Sequence, residues 1–374
     1  MALPVANVPP RLLKLHHIHL PYLTSYPLAS KLQEHFVRQQ LDSKTAFSPP
    51  FSPPSPTNNN GDHLLDPVLI TFQTLPTYTC GRRDVSSLPE EQIAHLRHGR
   101  QAAFHPALRG GQTTFHGPGQ LTAYVICALK AHNLRLRSYV RFLEQSVVTL
   151  LEGYGLKGYT REKYLGVWVR GRREEGSGGM EHNERKIASL GVHMQRMVSS
   201  HGVGINIGTH LDWFRRIEAC GLPGEVMTNM LNQGAKLEFG NAVKNCALGP
   251  EDIRHPIELR EHGGNGDPEE NDQESEFFER IGMKTKKNKK TAFKELGIFR
   301  EVIERSEQAV KNVADRYAQA VRDTLPNLEG KIEKPKKLPY HIKPEVEEET
   351  PIVLDYLGKN MAGKKSRGLE ARRA

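Results

Sequence analysis

Disulfides, structural zinc and membrane-spanning helices are all poorly served by this sequence. Its 374 residues hold 4 cysteines, at positions 80, 127, 220 and 246, with no Cys-x-x-Cys pair. Such spacing argues against a disulfide framework or a zinc site and for a reducing compartment. The 17 histidines include no His-Glu-x-x-His, and His16, His17 and His19 read as strand residues rather than ligands. The longest strictly apolar run, Ala123 to Leu129, falls far short of the roughly 20 residues a membrane helix needs. A soluble chain with no membrane partner follows. A Gly-x-x-x-x-Gly-Lys-Ser/Thr loop is missing, and Gly202-x-Gly204 followed by Gly208 is one residue off a dinucleotide fingerprint and lacks its strand-turn-helix context. Acid is missing too: the first 33 residues contain no Asp or Glu but carry Arg11, Lys14 and Lys31. That bias suits a mitochondrial transit peptide, although only residues 1–11 precede apparently folded chain.

Hydrophobic content is 37%, and polar inserts account for the shortfall. The net charge of +9 suits an acidic partner. A basic tail explains part of it, since Lys364, Lys365, Arg367, Arg372 and Arg373 stand against Glu370 alone. The lysine runs lack interleaved aromatics, so nucleic acid is not an expected partner.

Along the chain, Leu15 to Leu20 predicts a strand, and Pro27 opens a helix with Leu28, Leu32 and Phe36 on its apolar face. Residues 43–62, with five prolines and three consecutive asparagines, read as a disordered insert. Val68 to Phe72 and Leu121 to Leu129 predict strands, and Cys80 to Asp84 a turn. A helix is expected near 138–152 with Val140, Leu143, Val147, Leu150 and Leu151 in one stripe. Leu165 to Val169 follows as a strand, then a polar loop at 171–185, then Lys186–His193 and Val198–Ile207 as an antiparallel pair. Residues 251–290 read as a polar linker and 291–329 as a helical segment, with Val302, Ile303, Val310, Val313, Tyr317 and Val321 on one side of Glu301–Thr324; 330–374 read as an extended basic tail. Strands and helices mix without regular βαβ alternation, which predicts an α+β fold with a mixed or antiparallel sheet flanked by helices.

What the chain has in excess is glycine in one place. Residues 109 to 120 read Arg-Gly-Gly-Gln-Thr-Thr-Phe-His-Gly-Pro-Gly-Gln, four glycines and a proline in twelve positions. Each interior glycine costs about 0.5–1 kcal/mol relative to alanine, so the string makes sense where backbone must approach something closely. Lys186-Ile-Ala-Ser-Leu-Gly191 and His201-Gly-Val-Gly204 share that character, and Cys220-Gly-Leu-Pro-Gly224 follows.

Cys220 is the best candidate nucleophile. A free thiol near pKa 8.5 is only a few per cent thiolate at neutral pH. An ammonium about 4 Å away, at an effective dielectric near 20, is worth roughly 4 kcal/mol, or about three pKa units before screening. Lys186, set among small residues, can supply that charge, and poor hydration would suit it as a base. An isolated cysteine also fits an inert buried hydrophobe, the reading kept for Cys80, Cys127 and Cys246, and a lone lysine also fits a solvated surface group. His116 and His201, each preceding glycine, fit either acyl positioning or a structural role.

Taken together, the strip Arg109 to Gln120 with Tyr124, Lys186 to Gly191, His201-Gly-Val-Gly-Ile-Asn206 and Cys220 to Gly224 resemble the octanoyltransferases of lipoate synthesis, which have the lipoate–biotin protein ligase fold. The likeness covers roughly residues 12 to 235, within a catalytic domain placed at 12–250. It implies Cys220 as the acyl-thioester nucleophile and Lys186 as the residue that lowers the thiol pKa and handles protons. It implies substrate contacts from Arg109, Gly110, Gly111, Gln112, Thr113, Thr114, Phe115 and His116, from Ser189, Leu190 and Gly191, and from Gly202, Val203 and Gly204. Octanoyl-acyl carrier protein would be the donor. Lipoyl domains, such as those of 2-oxoacid dehydrogenase acyltransferase subunits and the glycine cleavage H protein, would be acceptors. No cofactor or metal is implied, and the pathway points to mitochondria. The inserts at 43–62 and 171–185 exceed the compact bacterial pattern, and the second could act as a lid. An ATP-dependent lipoate or biotin ligase of the same fold, which would not need Cys220, and a non-catalytic carrier-binding scaffold are the competing readings.

Overall fold

A computed structural model describes residues 13–45, 65–82, 84–97, 101–171, 184–217, 226–251, 289–328 and 332–334. Residues Val68–Thr74 and Gln120–Ile126 are rich in β-branched and aromatic side chains and form strands buried on both faces. Strands β1 (His16–Thr24), β2 (Val68–Thr74), β6 (Gln120–Ile126), β7 (Gly158–Thr160), β8 (Val167–Arg170), β9 (Glu184–Gln195) and β10 (Val198–Asn206) form one seven-stranded sheet in the order β1-β2-β6-β10-β9-β8-β7. Only the β1–β2 pair is parallel; the other pairs are antiparallel. A smaller sheet, β4-β3-β5, joins β3 (Thr77–Gly81) to β4 (Ala103–Ala107) in parallel and to β5 (Thr114–His116) in antiparallel fashion. This is the α+β arrangement expected.

Helices cover both faces of the large sheet. Helix α1 (Tyr26–Thr45) packs through Ala29, Leu32, Val37 and Leu41 against Ile70, Phe72, Tyr124 and Ile126. Opposite, α3 (Leu136–Glu152) lays Leu143, Val147, Leu150 and Leu151 on Ala123, Val125, Val203 and Ile205. The C-terminal helix α5 (Lys289–Thr324) joins that same core through Val310, Val313, Tyr317 and Val321, and the Tyr317 and Ser146 hydroxyls lie 3.1 Å apart. Two short α-helices also lie among the described residues, α2 (Glu90–Arg97) and α4 (Gly240–Cys246).

Several expectations need adjustment. On α1 the inward residues are Ala29, Leu32, Gln33, Val37, Gln40 and Leu41, while Leu28 and Phe36 are half-buried: the stripe is rotated by one residue. The helix also runs through residues 43–45, which the insert was expected to begin with; residues 46–62 lie outside the described chain. Cys80 and Gly81 are strand rather than turn, because Cys80 pairs with Pro106 and Gly81 with Ala107. Strand β6 stops at Ile126, where a short 3-10 helix, Leu129–His132, takes over. Val140 is half-buried, and Tyr139 and Phe142 fill the α3 stripe instead. Leu165 is 52% exposed, so β8 starts two residues later than expected. Glu184 and Arg185 belong to β9 rather than to the preceding loop, whose residues 172–183 are not described. Helix α5 takes in the last two lysines of the expected linker. Within the expected tail, Glu333 forms a bridge beside β1: the His17 N–H donates to the Glu333 carbonyl at 2.9 Å, and the Glu333 N–H to the Leu15 carbonyl at 2.8 Å.

Candidate functional site

Three glycine-bearing stretches, far apart in sequence, meet on the α1 side of the sheet. Strands β9 and β10 pair Ser189 with Gly204, Leu190 with Val203 and Gly191 with Gly202. Strand β6 continues the rows, with Tyr124 opposite Gly202 and Thr122 opposite Gly204. Because paired residues share a face and neighbours alternate, Ser189, Gly191, Gly202 and Gly204 lie with Thr122 and Tyr124, while Leu190 and Val203 point into the α3 core. A Cβ on Gly202 would meet the Ala123 carbonyl oxygen at 2.2 Å, so only glycine allows this spacing.

The strip from Arg109 lies against that surface. The Gly110 N–H donates to the Val192 carbonyl at 3.0 Å, and a Cβ on Gly191 would come within 2.7 Å of Arg109 Cδ. Arg109 is buried, and its guanidinium donates to the carbonyls of Gly110 and Gln112 at 3.0 and 2.9 Å, and to the Thr79 carbonyl and hydroxyl at 2.7 and 2.8 Å. The arginine thus shapes its own loop. Gly110, Gly111 and Gln112 remain exposed, whereas Thr113 and His116 are buried and Thr114 is half-buried. Phe115 is a core residue: it stacks on Trp213 at 5.0 Å and sits edge-on to Tyr78 and Phe214.

A cluster of rings closes the α1 side. Tyr26 stacks on His105 at 5.3 Å and on His116 at 6.5 Å, and hydrogen-bonds Tyr124, whose ring is 5.3 Å from His201. His201 holds a φ of 60°, uncommon for a residue with a Cβ, and its N–H donates to Gln33 Oε1 of α1 at 2.5 Å. Burial, reinforced by the Arg109 charge, lowers the pKa of His116 to about 4 and of His201 to about 3. Both imidazoles are therefore neutral near pH 7 and serve as hydrogen-bonding or packing groups there.

Lys186, on β9, is completely buried. Its Nζ lies 5.9 Å from the centre of the Trp168 ring. Its carbonyl accepts from the Thr228 N–H at 2.9 Å, and Lys186 forms a parallel bridge with Met227. From Thr228 a buried relay leads back to the strip. Asn206 Nδ2 donates to the Thr228 carbonyl at 3.0 Å, Gln120 Nε2 donates to Asn206 Oδ1 at 2.9 Å, and Gln120 Oε1 lies 2.7 Å from His116 Nδ1. Asn206 and Gln120 stand inside recognisable motifs, yet only the fold assigns them this connecting role. Thr228 has no local signal at all.

Cys220 lies outside the described residues, as do Gly221 to Gly224. The described chain leaves at Ile217 and returns at Val226, one residue before Met227 joins Lys186. Cys80, Cys127 and Cys246 are buried thiols, and burial raises the Cys80 pKa. Among the described residues, no group of three or more His, Cys, Asp or Glu could hold a metal ion, and no helix is long and apolar enough to cross a membrane.

Residues 57–245 match the family described as lipoyl protein ligase A/B catalytic domain. The probable octanoyltransferase of Schizosaccharomyces pombe is 37% identical over 222 residues, which is 59% of this chain and 87% of that one. The mitochondrial octanoyltransferase of Saccharomyces cerevisiae is 29% identical over 59% of this chain and 74% of its own. The mitochondrial octanoyl-[acyl-carrier-protein]:protein N-octanoyltransferase of Xenopus tropicalis is 42% identical over 166 residues, 44% of this chain and 63% of that one. The chain belongs to the octanoyltransferases of the lipoyl protein ligase A/B family, acyltransferases with the lipoate–biotin protein ligase fold.

Proposed function

We propose that this protein moves an octanoyl group from octanoyl-acyl carrier protein to the ε-amine of a lysine on a lipoyl domain, through a thioester on Cys220. The observation that carries the reading is the meeting of the glycine strip with the strand that holds the buried Lys186. The chain bearing Cys220 rejoins that same strand at Met227.

The steps follow from the groups available. The Cys220 thiolate attacks the carbonyl carbon of the donor thioester. The bond to the carrier's sulfur breaks, and that sulfur leaves as a thiol, its proton supplied by the Lys186 ammonium. The acceptor lysine's neutral amine then attacks the octanoyl-enzyme and the bond to Cys220 breaks. The proton shed by the new amide nitrogen goes to Lys186, restoring its ammonium beside the Cys220 thiolate. Thioester to amide is downhill, so no ATP enters. Backbone N–H groups of Cys220, Gly221, Leu222 or Gly224 would meet the oxyanion.

Ser189 to Gly191, Gly202 to Gly204 and the outward Gly110 to Gln112 would contact the substrate, the glycines giving an acyl chain room against backbone. Burial of six methylenes at about 0.8 kcal/mol each would supply roughly 5 kcal/mol and favour a medium-length chain. Phe115, Leu190 and Val203, whose side chains pack inward, would contribute through backbone alone. The acceptors would be the lipoyl domains of 2-oxoacid dehydrogenase complexes and the glycine cleavage H protein. The word mitochondrial in the names of two relatives supports a mitochondrial location.

The reading is tested with purified protein, octanoyl-carrier and an apo-lipoyl domain without ATP. Octanoyl amide should form. Activity that requires ATP and free octanoate would overturn it.

A further inference from the structure

Behind Lys186 sits a carboxylate that the proposed steps do not use. Glu144 of α3 is only 5% exposed, on a helix whose inward neighbours Leu143, Val147 and Val148 are apolar. Its Oε1 accepts a hydrogen bond from the Gly166 N–H at 3.1 Å. Gly166 in turn abuts the lysine: a Cβ there would fall 2.5 Å from Lys186 Cε and 3.2 Å from Nζ. One glycine therefore has the carboxylate on its amide and the ammonium stem against its α-carbon. The charges facing Glu144 are Arg141, from its own helix, and Lys186, from β9; the Trp168 ring of β8 also lies near the amine. Burial raises the Glu144 pKa, and the Gly166 hydrogen bond and the two cations oppose that rise. A buried carboxylate is costly to keep unless its partners use it.

We infer that Glu144 is a positioning residue for Lys186: it pins the Gly166 backbone against the lysine stem and adds a negative charge that favours the protonated amine. This rests on the reading of Lys186 as the proton-handling group. Two variants separate the two parts of the role. Glu144→Gln keeps an oxygen for the Gly166 N–H but removes the charge. Glu144→Asp keeps the charge but withdraws it by one methylene.

The test uses the full chain with isotopically labelled lysine side chains, titrated by NMR, the Lys186 signal being assigned by its loss in Lys186→Met. In Glu144→Gln the Lys186 pKa should fall by about one pH unit, the order expected for a unit charge within roughly 10 Å at an effective dielectric near 20. The basic limb of the octanoyl-transfer rate should move down with it. An unchanged Lys186 titration overturns the inference. A shifted titration with an unshifted rate profile supports the pairing and overturns the role given to Lys186 in transfer. Should Glu144→Gln fail to fold, Glu144→Asp decides: it should slow transfer at every pH without moving the profile and should speed hydrogen exchange at the Gly166 amide. Wild-type rate and exchange in that variant overturn the inference.

Discussion

Gly166 and Lys186 are in contact across the β8 end of the sheet, and the contact exists only because residue 166 has no side chain. Its φ of 133° lies where residues with a Cβ rarely go, and the missing Cβ would stand 2.5 Å from Lys186 Cε. The lysine's stem occupies the space that alanine would claim. Around that pair the fold gathers Trp168, the Glu144 carboxylate and, through Thr228, Asn206 and Gln120, the glycine strip.

Gly166→Ala should therefore displace Lys186. The backbone strain alone costs of order 1–3 kcal/mol. Octanoyl transfer is expected to fall by about tenfold or more, equivalent to about 1.4 kcal/mol or more in the barrier, with the donor's KM changing much less. Steady-state kinetics on the folded variant check this; an unaltered kcat would contradict it.

Asn206 bridges Gln120 and Thr228 with both ends of its amide, and it is 1% exposed. Asn206→Leu leaves a buried N–H and a buried carbonyl without their partner. At about 1–3 kcal/mol per unsatisfied group, the variant should lose about 2 kcal/mol or more of stability. Urea unfolding measures it. The same change should lower transfer, since the relay fixes Lys186 relative to the strip.

Phe115 offers a contrast between packing and contact. Its ring is 1% exposed and stacked on Trp213. Phe115→Ala should cost about 3–5 kcal/mol, with its main effect on the denaturation midpoint. A variant of wild-type stability but impaired substrate binding would contradict the placement of this side chain in the core.

Acid should destabilise the fold through its buried histidines. His116 and His17 both have pKa values lowered to about 4, chiefly by burial, from the ordinary 6.5. Below 6.5 the unfolded chain takes up protons that the folded chain refuses. Stability from these groups is thus fully present above about pH 6.5, drains away as pH falls toward 4, and changes little further below that. Each contributes up to about 3 kcal/mol across the window. Replacing His17 with Gln should flatten the slope of stability against pH between 6.5 and 4, read from urea midpoints at several pH values. An equally steep slope in that variant would contradict the assignment.

Much of the site was legible because its chemistry is written in local strings. The close approach that the glycine strings predicted is met at Gly191 and Gly202, where a Cβ would come within 2.7 Å of Arg109 Cδ and 2.2 Å of the Ala123 carbonyl oxygen, and the apolar runs around them predicted β6, β9 and β10. Strand pairing then brought the strings together, as the antiparallel reading of β9 and β10 anticipated. Glu144 was not legible: within a helical stripe a single carboxylate looks like a solvated face, and only the path of β8 aims Gly166 at it. Tyr26 and Gln33 were missed for the same reason, since their partners Tyr124 and His201 lie about a hundred or more residues away. Helix α5 was expected as a separate segment because its sequence is bounded by charge-rich stretches. Its alanine and valine face completes the α3 core, and Glu307 reaches His19 at 3.0 Å.

The most direct measurement is the intact mass of the protein after exposure to octanoyl-carrier alone. One octanoyl group should be added to the wild-type chain, should be lost on addition of an apo-lipoyl domain, and should fail to appear in Cys220→Ala. An adduct that persists in Cys220→Ala, or transfer to the lipoyl domain by that variant at the wild-type rate, would contradict a sulfur-bound intermediate at position 220.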